Sequence, residues 1–550
     1  MKKILLFVII FSCGAFAQLQ YVEAGNPVYN FLDRMESQHI ITGYSSFEIP
    51  KSREEIAGYL KQVIKDTAAI DDIDKDILHD LEIEFEYELY GTLKEAQKII
   101  GDGSYNIFSQ RAKYLYYYDS PGRASLFINI LGEGEEIFGN NRVSGANIST
   151  GLGSLGGIIR GTFADKFGFF IKGTNGAVFG DRNAALYRKD IAYNFKFNSL
   201  PLQNFFDETQ GYMTAYLDPV SFKIGRDRVE LGYGAIKALL GDNAPLFDYI
   251  GMRINYKFFN FSYFHGKLLG DSHFQNDPVT GGIEVVQDKF IGYHRIGFDL
   301  SHNFNFGVGE FIIYANRSLD ISYLNPFSFY KSVEHANRDR DNSMLFFDFS
   351  NNSIKGLKLF GTFLIDDISM GKLNTNYYGN QFVYNAGLYS TNLYKYIPAG
   401  IKLEYMRISP YVYTHRISSN NFTNFGYPLA SSFQPNSELF FSQINFRFNY
   451  RLELTAGFSY SLHGANPVNP DGTVTNVGGD ITLGHRETDS LNSTFLAGDL
   501  EYLRTFSASL RYEPFKQIVA SLKLEYSDNS LQNSARTRQV VTFINLNAAL

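Results

Sequence analysis

Between Ile444 and His463 the chain alternates without a break. Ile444, Phe446, Phe448, Tyr450, Leu452, Leu454, Ala456, Phe458, Tyr460 and Leu462 hold one parity, and Asn445, Arg447, Asn449, Arg451, Glu453, Thr455, Gly457, Ser459, Ser461 and His463 the other. Successive side chains of an extended chain point to opposite faces, so a period of two demands β-strand and excludes an amphipathic helix. The run is longer than one membrane strand of about 9 to 11 residues, and it predicts two strands joined by a short turn that keeps the parity. Ala520, Leu522, Leu524 and Tyr526 repeat the pattern against Ser521, Lys523, Glu525 and Ser527, and period two prevails from about Gly101 onward.

The setting of such a sheet follows from what each face carries. A half-buried soluble sheet also alternates, but its solvated face favours Lys and Glu and its buried face Val, Ile and Leu. Here the apolar parity is heavy in Phe, Tyr and Leu, with 50 Phe and 38 Tyr in the chain, while the other parity mixes Ser, Thr, Asn, Gly, Arg and Glu. Rings facing lipid and a polar lumen explain how 44% hydrophobic residues coexist with a mean hydropathy of -0.18. Tyrosines near strand ends, at Tyr116 to Tyr118 and at Tyr411 and Tyr413, are expected in an aromatic girdle. The expected fold is mainly β, a large antiparallel transmembrane β-barrel; about 450 residues at roughly 25 per strand and loop give about 18 strands, with 16 to 20 possible. A soluble β fold is the alternative that parity leaves open. Short turns such as Glu513–Gln517 are expected at one end of the barrel, and the long polar segment Gly464–Asn492 is expected as a surface loop at the other.

Other classes are excluded by composition. So many aromatics can bury enough apolar surface to oppose the ordering entropy, so the chain is not disordered. After the first seventeen residues no run approaches the roughly 18 to 20 apolar residues of a spanning helix. The one cysteine, Cys13, lies in the N-terminal apolar run, which leaves no disulfide framework or cysteine metal site.

The start of the chain points to export. Lys2-Lys3, the apolar Ile4–Phe11 and Ala15-Phe16-Ala17 before Gln18 form a cleavable signal peptide over residues 1–17. A lipoprotein signal at Cys13 is the competing reading, with Phe11 and Ser12 making a poor lipobox. From Asn26 to about Glu95 the period becomes helical, through Val28, Phe31, Leu32 and Met35, then Ile56, Leu60 and Ile64, then Ile77, Leu81, Ile83 and Phe85. Three helices are expected in a small domain over residues 18–98, followed by the barrel over 99–550. Ser52 with Glu55 is a capping-box pattern for the second helix. Between Glu48 and Glu95 there are 14 acidic and 6 basic residues, more than the whole net charge of -7. The run Asp71-Asp72-Ile73-Asp74-Lys75-Asp76 lacks the glycine and terminal glutamate of a calcium loop and reads as helix N-terminal carboxylates.

Few motifs carry chemistry. Gly151-Leu152-Gly153-Ser154-Leu155-Gly156 is followed by a strand pattern rather than a helix, so it is no dinucleotide fingerprint. Asp366-Asp367 would suit an acid and base pair but follow a strand-like run and are expected at its end. The ten histidines show no zinc spacing, and no nucleophile elbow is present. No catalytic residue, metal site or cofactor is predicted, and a net negative chain without a basic cluster argues against nucleic acid.

Several segments resemble the Wzi-type capsule-assembly family of outer-membrane proteins. They are Pro27–Arg34 with Ile40-Ile41 and Arg53–Ile56; Gly225-Arg226-Asp227 with Gly232 and Gly234; Asn243-Ala244-Pro245-Leu246-Phe247-Asp248; His265-Gly266; His294-Arg295; Glu310 with Ile312–Tyr314; Tyr323-Leu324-Asn325-Pro326; Asp341-Asn342; and Asp366-Asp367. Together they span most of residues 26–367, and beyond about 370 only barrel character is visible. The resemblance implies a barrel of roughly 18 strands with a periplasmic helical bundle, acting without catalysis as a lectin-like factor that helps assemble or attach capsular or exopolysaccharide. It implies surface polysaccharide, outer-membrane lipid and envelope assembly proteins as partners. Two departures stand out: the chain has no Trp, and it ends in Leu550 rather than Phe. Arg226 and Arg228, with Asp227 between them, are the candidate ligand contacts near the barrel interior, with cross-lumen ion pairs as the alternative role. A surface adhesion or gliding component, and a pore, are the other functions considered.

Overall fold

The structure is a computed structural model that describes residues 19–550 apart from 102–105, 121–122, 141–144, 165, 195–196, 198–203, 339, 392, 394–395 and 532–535. The signal-peptide reading of residues 1–17 lies outside the described residues.

Period two becomes one continuous antiparallel meander. Its strands are β1 (Ala124–Asn140), β2 (Asn147–Phe163), β3 (Phe167–Gly180), β4 (Phe205–Leu217), β5 (Val220–Asp227), β6 (Phe247–Tyr256), β7 (Phe259–Gln275), β8 (Ile283–Ser301) and β9 (Phe304–Ala315). The second half runs through β10 (Asn342–Ile354), β11 (Leu357–Asp367), β12 (Gln381–Ser390), β13 (Ala399–Ile408), β14 (Ser437–Asn449), β15 (Leu452–Ala465), β16 (Asp499–Phe515), β17 (Ile518–Leu531) and β18 (Thr537–Ala549). Each strand pairs with the next, and β18 closes on β1 with Val541 opposite Gly139 and Ala549 opposite Leu131. A short strand, Tyr116–Ser120, lies on the same edge of β1 in line with β18, pairing Ala124 to Ile128. Closure leaves no unpaired sheet edge, as lipid requires.

The Ile444–His463 run divides at Tyr450-Arg451 into β14 and β15, with Phe446 opposite Leu454. Its apolar parity faces outward, where Leu155, Phe506, Leu510, Leu522, Leu524, Ile544 and Leu546 are exposed with no protein layer over them. Phe163, Phe167, Tyr256, Phe258, Phe448, Tyr450 and Tyr512 form an exposed aromatic ring at the end where the two-residue turns lie. Tyr411 and Tyr413 correct the girdle expectation. Both are buried in the loop after β13, with their backbones in the left-handed region at φ 64° and 67°.

Four helices replace the three expected. They are α1 (Val28–Ser37), α2 (Arg53–Lys65), α3 (Asp72–Glu84) and α4 (Glu86–Tyr90), the third predicted helix being interrupted at Phe85. The capping box is present: Glu55 N donates to Ser52 Oγ at 3.2 Å, and Ser52 N donates to Glu55 Oε2 at 2.9 Å. Asp71 caps α3 by accepting from Asp74 N at 2.8 Å, and Asp74 holds Arg34 in a fully buried pair. The acidic run is therefore the first turn of α3, where its carboxylates meet unpaired backbone N–H groups.

Helices and barrel meet through ion pairs at the turn end. Lys358 on β11 reaches Asp33 at 3.1 Å and Glu36 at 2.6 Å on α1, Arg253 on β6 reaches Glu48 at 2.6 Å, and Arg451 reaches Asp80 at 2.9 Å. From the other end two loops turn inward. Glu404 on β13 accepts from Ala235 N at 2.6 Å and Ile236 N at 3.1 Å in the loop after β5, whose Gly241 N donates to Leu429 O of the loop after β13. Leu231, Leu239, Phe422 and Leu429 are buried with the inward rings Tyr293, Phe311 and Phe346, so this side of the lumen is a hydrophobic core. On the other side, beside β1 to β3 and β14 to β18, a luminal cavity of about 620 Å³ remains, lined by charged groups including Glu133, Arg160, Lys172 and Arg511.

Candidate functional site

The residues singled out from the sequence fall into separate places. Adjacent strand residues face opposite ways, and β5 obeys this. Arg226 shares the outward parity of Phe222 and Ile224 and pairs on the exposed surface with Asp248 at 2.6 Å. This corrects its expected place near the interior. Asp227 does face inward, buried, where it accepts from Gln210 and pairs with Lys223. Arg228, beyond the strand, donates to Ala244 O at 3.3 Å and Tyr193 Oη at 3.0 Å. Gly225 has φ 139°, and a Cβ there would strike the carbonyl of Gly211.

Asn243 and Pro245 belong to the inward loop. Asn243 Nδ2 donates to Ala430 O at 2.7 Å, and Pro245 O accepts from Asn424 Nδ2 at 3.0 Å. His265 instead sits on the outer wall, with its Nε2 2.9 Å from Tyr314 Oη. The loop after β9 folds back over that wall. Tyr323 donates to Asp341 at 2.6 Å, Leu324 O accepts from Tyr263 Oη at 3.0 Å, Asn325 Oδ1 accepts from Phe327 N at 3.1 Å, and Pro326 lies within this flap. Asp366 is buried inward and accepts from Tyr413 N, whereas Asp367 is exposed and accepts from Ile368 N at 2.8 Å. Facing opposite sides of β11, they cannot act as a paired acid and base.

A concave site that none of these residues lines opens at the loop end, within the long loop between β15 and β16. It has a volume of about 400 Å³ and is lined by Tyr411, Asn476, Arg486, Asp489, Ser490 and Asn492 among others. Arg486 Nε donates to Asp489 Oδ1 at 2.9 Å, and Asn476 Nδ2 donates to Asp489 Oδ2 at 2.7 Å. These contacts hold Asp489 below the usual carboxylate range: burial alone would raise it, but the hydrogen bonds from Arg486 and Asn476 outweigh that. Arg486 Nη2 also donates to Val474 O at 2.9 Å, and 43% of the side chain stays exposed. Tyr411 closes one side. Its hydroxyl donates to Asn476 O at 3.0 Å, and Gly478, at φ 80°, packs where any Cβ would meet the Tyr411 ring. A tyrosine held in the left-handed region costs about 1–3 kcal/mol, a cost that persists where surrounding contacts over-determine it.

The rim is aromatic. Tyr378 stacks on His485 with centroids 3.5 Å apart at 12°, and Tyr411 meets His485 edge-on at 5.4 Å. The loop is tied to the loop after β11, where Tyr378 N donates to Leu491 O at 3.1 Å and Ser493 N to Asn376 O at 2.7 Å. Hydroxyls, amides, one half-exposed guanidinium and adjoining rings form a surface suited to a polar, ring-shaped ligand rich in hydroxyls. In the sequence the Asn, Thr, Ser, Gly and Pro content of Gly464–Asn492 marked a loop, but nothing local showed that it would fold around Tyr411.

An outward apolar belt, a closed antiparallel wall, inward loops that fill one side of the lumen and helices docked at the turn end define a membrane-spanning β-barrel. The sequence model of the family described as capsule assembly protein Wzi matches residues 162–541, and the chain belongs to that family. The match covers the region beyond 370, where no motif is recognisable by eye. Among solved structures, Wzi of Escherichia coli, described as an outer membrane protein involved in group 1 capsule assembly and a carbohydrate-binding β-barrel, is similar at TM-score 0.56 and 12% identity, covering 96% of this chain and 98% of its own. A BenF-like porin from Pseudomonas fluorescens Pf-5 gives TM-score 0.46 at 9% identity, covering 77% of this chain and 99% of its own. OccAB1 of Acinetobacter baumannii gives 0.44 at 14%, covering 77% and 97%. No curated protein matches the sequence.

Proposed function

We propose that this protein is a non-enzymatic factor of the bacterial outer membrane that binds surface polysaccharide and assists its assembly or attachment. In this reading residues 1–17 are a cleaved export signal, the turn end and the helices face the periplasm, and the loop end faces outward. The observation that carries it is the polar cavity at the loop end, joined to family membership. Asp489 is already satisfied by Arg486 and Asn476, so the site is pre-ordered, and the exposed part of the Arg486 guanidinium suits a sugar carboxylate or hydroxyl. With no Trp in the chain, the half-buried Tyr378 and His485, stacked on each other, offer the ring surfaces for sugar C–H groups. Capsular or exopolysaccharide is the proposed ligand, and envelope assembly proteins the proposed further partners.

The test is binding of the purified protein to the host's own surface glycans, with Arg486→Gln beside it. One charge-assisted hydrogen bond is worth about 1.5–3 kcal/mol, so the variant should bind roughly 10- to 150-fold more weakly. Wild-type protein that fails to bind, in a host whose polysaccharide amount and retention survive deletion of the gene, would sink the proposal. Of the alternatives, a steady open pore is disfavoured by the core of inward loops and rings that fills one side of the lumen. An adhesion or gliding role finds no observation of its own.

A further inference from the structure

On the outer wall of β11 to β13, near the loop end, three side chains stand in one cross-strand row: Phe363 opposite Tyr384, and Tyr384 opposite Arg407. All three hold the outward parity, since Leu364, Val383 and Met406 between them belong to the luminal core. The loop after β11 and the segment around Ser493 roof this row, enclosing a groove of about 780 Å³ that opens to the outside of the barrel. Its wall is aromatic. Phe363 lies 5.1 Å from Tyr384 and 5.8 Å from Phe382 between ring centroids, and Phe495 lies under the Arg407 guanidinium at 3.8 Å.

Arg407 is out of place on a lipid-facing wall unless something anionic meets it. Its Nε is buried and has no hydrogen-bond partner among the described residues. Glu438, directly across on β14, is turned to the Tyr405 hydroxyl at 3.0 Å rather than to the guanidinium. A second cation stands at the roof, Lys372, exposed and 3.6 Å from the centroid of Tyr377, which also lines the groove. Two other cations of the outer wall meet carboxylates, Lys267 with Asp288 at 2.8 Å and Arg226 with Asp248 at 2.6 Å, whereas Arg407 meets none among the described residues. The row lies four residues from the end of β11, so within roughly 13 Å of it. That is the band where headgroups meet acyl chains and where aromatic rings concentrate.

We propose that this groove binds one lipid with an anionic phosphate headgroup, its phosphate on Arg407 and Lys372 and an acyl chain along Phe363, Phe382 and Tyr384. The site rests on the reading that the outer wall faces lipid, and it adjoins the polysaccharide cavity at Ser493 and Tyr378. The experiment uses the full-length protein in detergent micelles doped equally with phosphatidylglycerol and phosphatidylcholine of the same acyl chains, with retained lipid counted by native mass spectrometry. Wild type should retain one phosphatidylglycerol over phosphatidylcholine by at least about tenfold, the least a charge-assisted contact supplies. R407Q and K372Q should lower that preference, R407Q to near parity, while K267Q leaves it unchanged; heat-modifiable gel migration shows that each variant is folded. Equal retention of the two lipids by wild type, or a preference that survives R407Q, overturns the site. Flotation with vesicles of each lipid separates the other failure: protein that floats with neither overturns the lipid-facing reading itself.

Discussion

Replacing Lys358 with Met should release α1 from the barrel wall. Lys358 Nζ holds Asp33 at 3.1 Å, Glu36 at 2.6 Å and Ser46 Oγ at 3.0 Å, and its side chain is only 3% exposed. Removing the cation strands two carboxylates beside an apolar stem, and breaking a buried pair by deleting one partner costs about 3–5 kcal/mol. The two acids respond differently. Burial pushes Asp33 up, but the attraction of Lys358 and Lys402 outweighs it and holds the carboxyl below its usual range; for Glu36 burial wins and the carboxyl is raised. A raised carboxylate destabilises the docked state at high pH and ceases to do so as it takes up a proton, so the Lys358→Met defect should be larger at pH 8 than at pH 5. The readout is hydrogen exchange of the α1 amides, which should quicken by roughly 100-fold or more if 3–5 kcal/mol of docking is lost. Adding Glu36→Gln should recover part of that. Exchange in Lys358→Met within about threefold of wild type would refute the reasoning, since it would mean that the pair contributes less than about 1 kcal/mol.

Three further outcomes follow from the same structure. Asp74→Asn leaves Arg34 charged and buried between α1 and α3, and should destabilise the helices by about 3–5 kcal/mol while the barrel still migrates as folded; protease cleavage within residues 26–90 in the variant alone is the check. Ser52→Ala removes the cap of α2 and should cost about 1 kcal/mol, seen as faster exchange in its first turn only. Asp489 has a depressed carboxyl, so its contribution to the loop is present above its unfolded value of about 3.9 and is lost as pH falls through the folded one; glycan binding that fades between pH 7 and pH 5 would count against Asp489 as the organiser of the cavity.

What was legible in the sequence was local. Parity from Ile444 to His463 named two strands and the turn between them, because alternation is a property of the extended backbone itself. Ser52 with Glu55, and Asp71 before its helix, were readable because a cap joins residues three apart. Parity also places Arg226, which shares the outward face of Phe222 and Ile224. The change from helical to extended period follows from neighbouring residues, and the barrel size from the length of the extended part.

The long loops were decided otherwise. Nothing near Tyr411 and Tyr413 in the chain says that they turn inward, where Gly478 and Asp366 receive them. Nothing near Tyr323 says that its loop folds outward over Glu310 and His265, whereas the loop carrying Asn243 enters the lumen. Each of these choices is made by partners far along the chain: Tyr411 with Gly478, Tyr263 with Leu324, Asn424 with Pro245. Backbone period sets a strand's faces before any distant contact forms; a loop has no period, and its place is the sum of contacts that exist only once the barrel has closed.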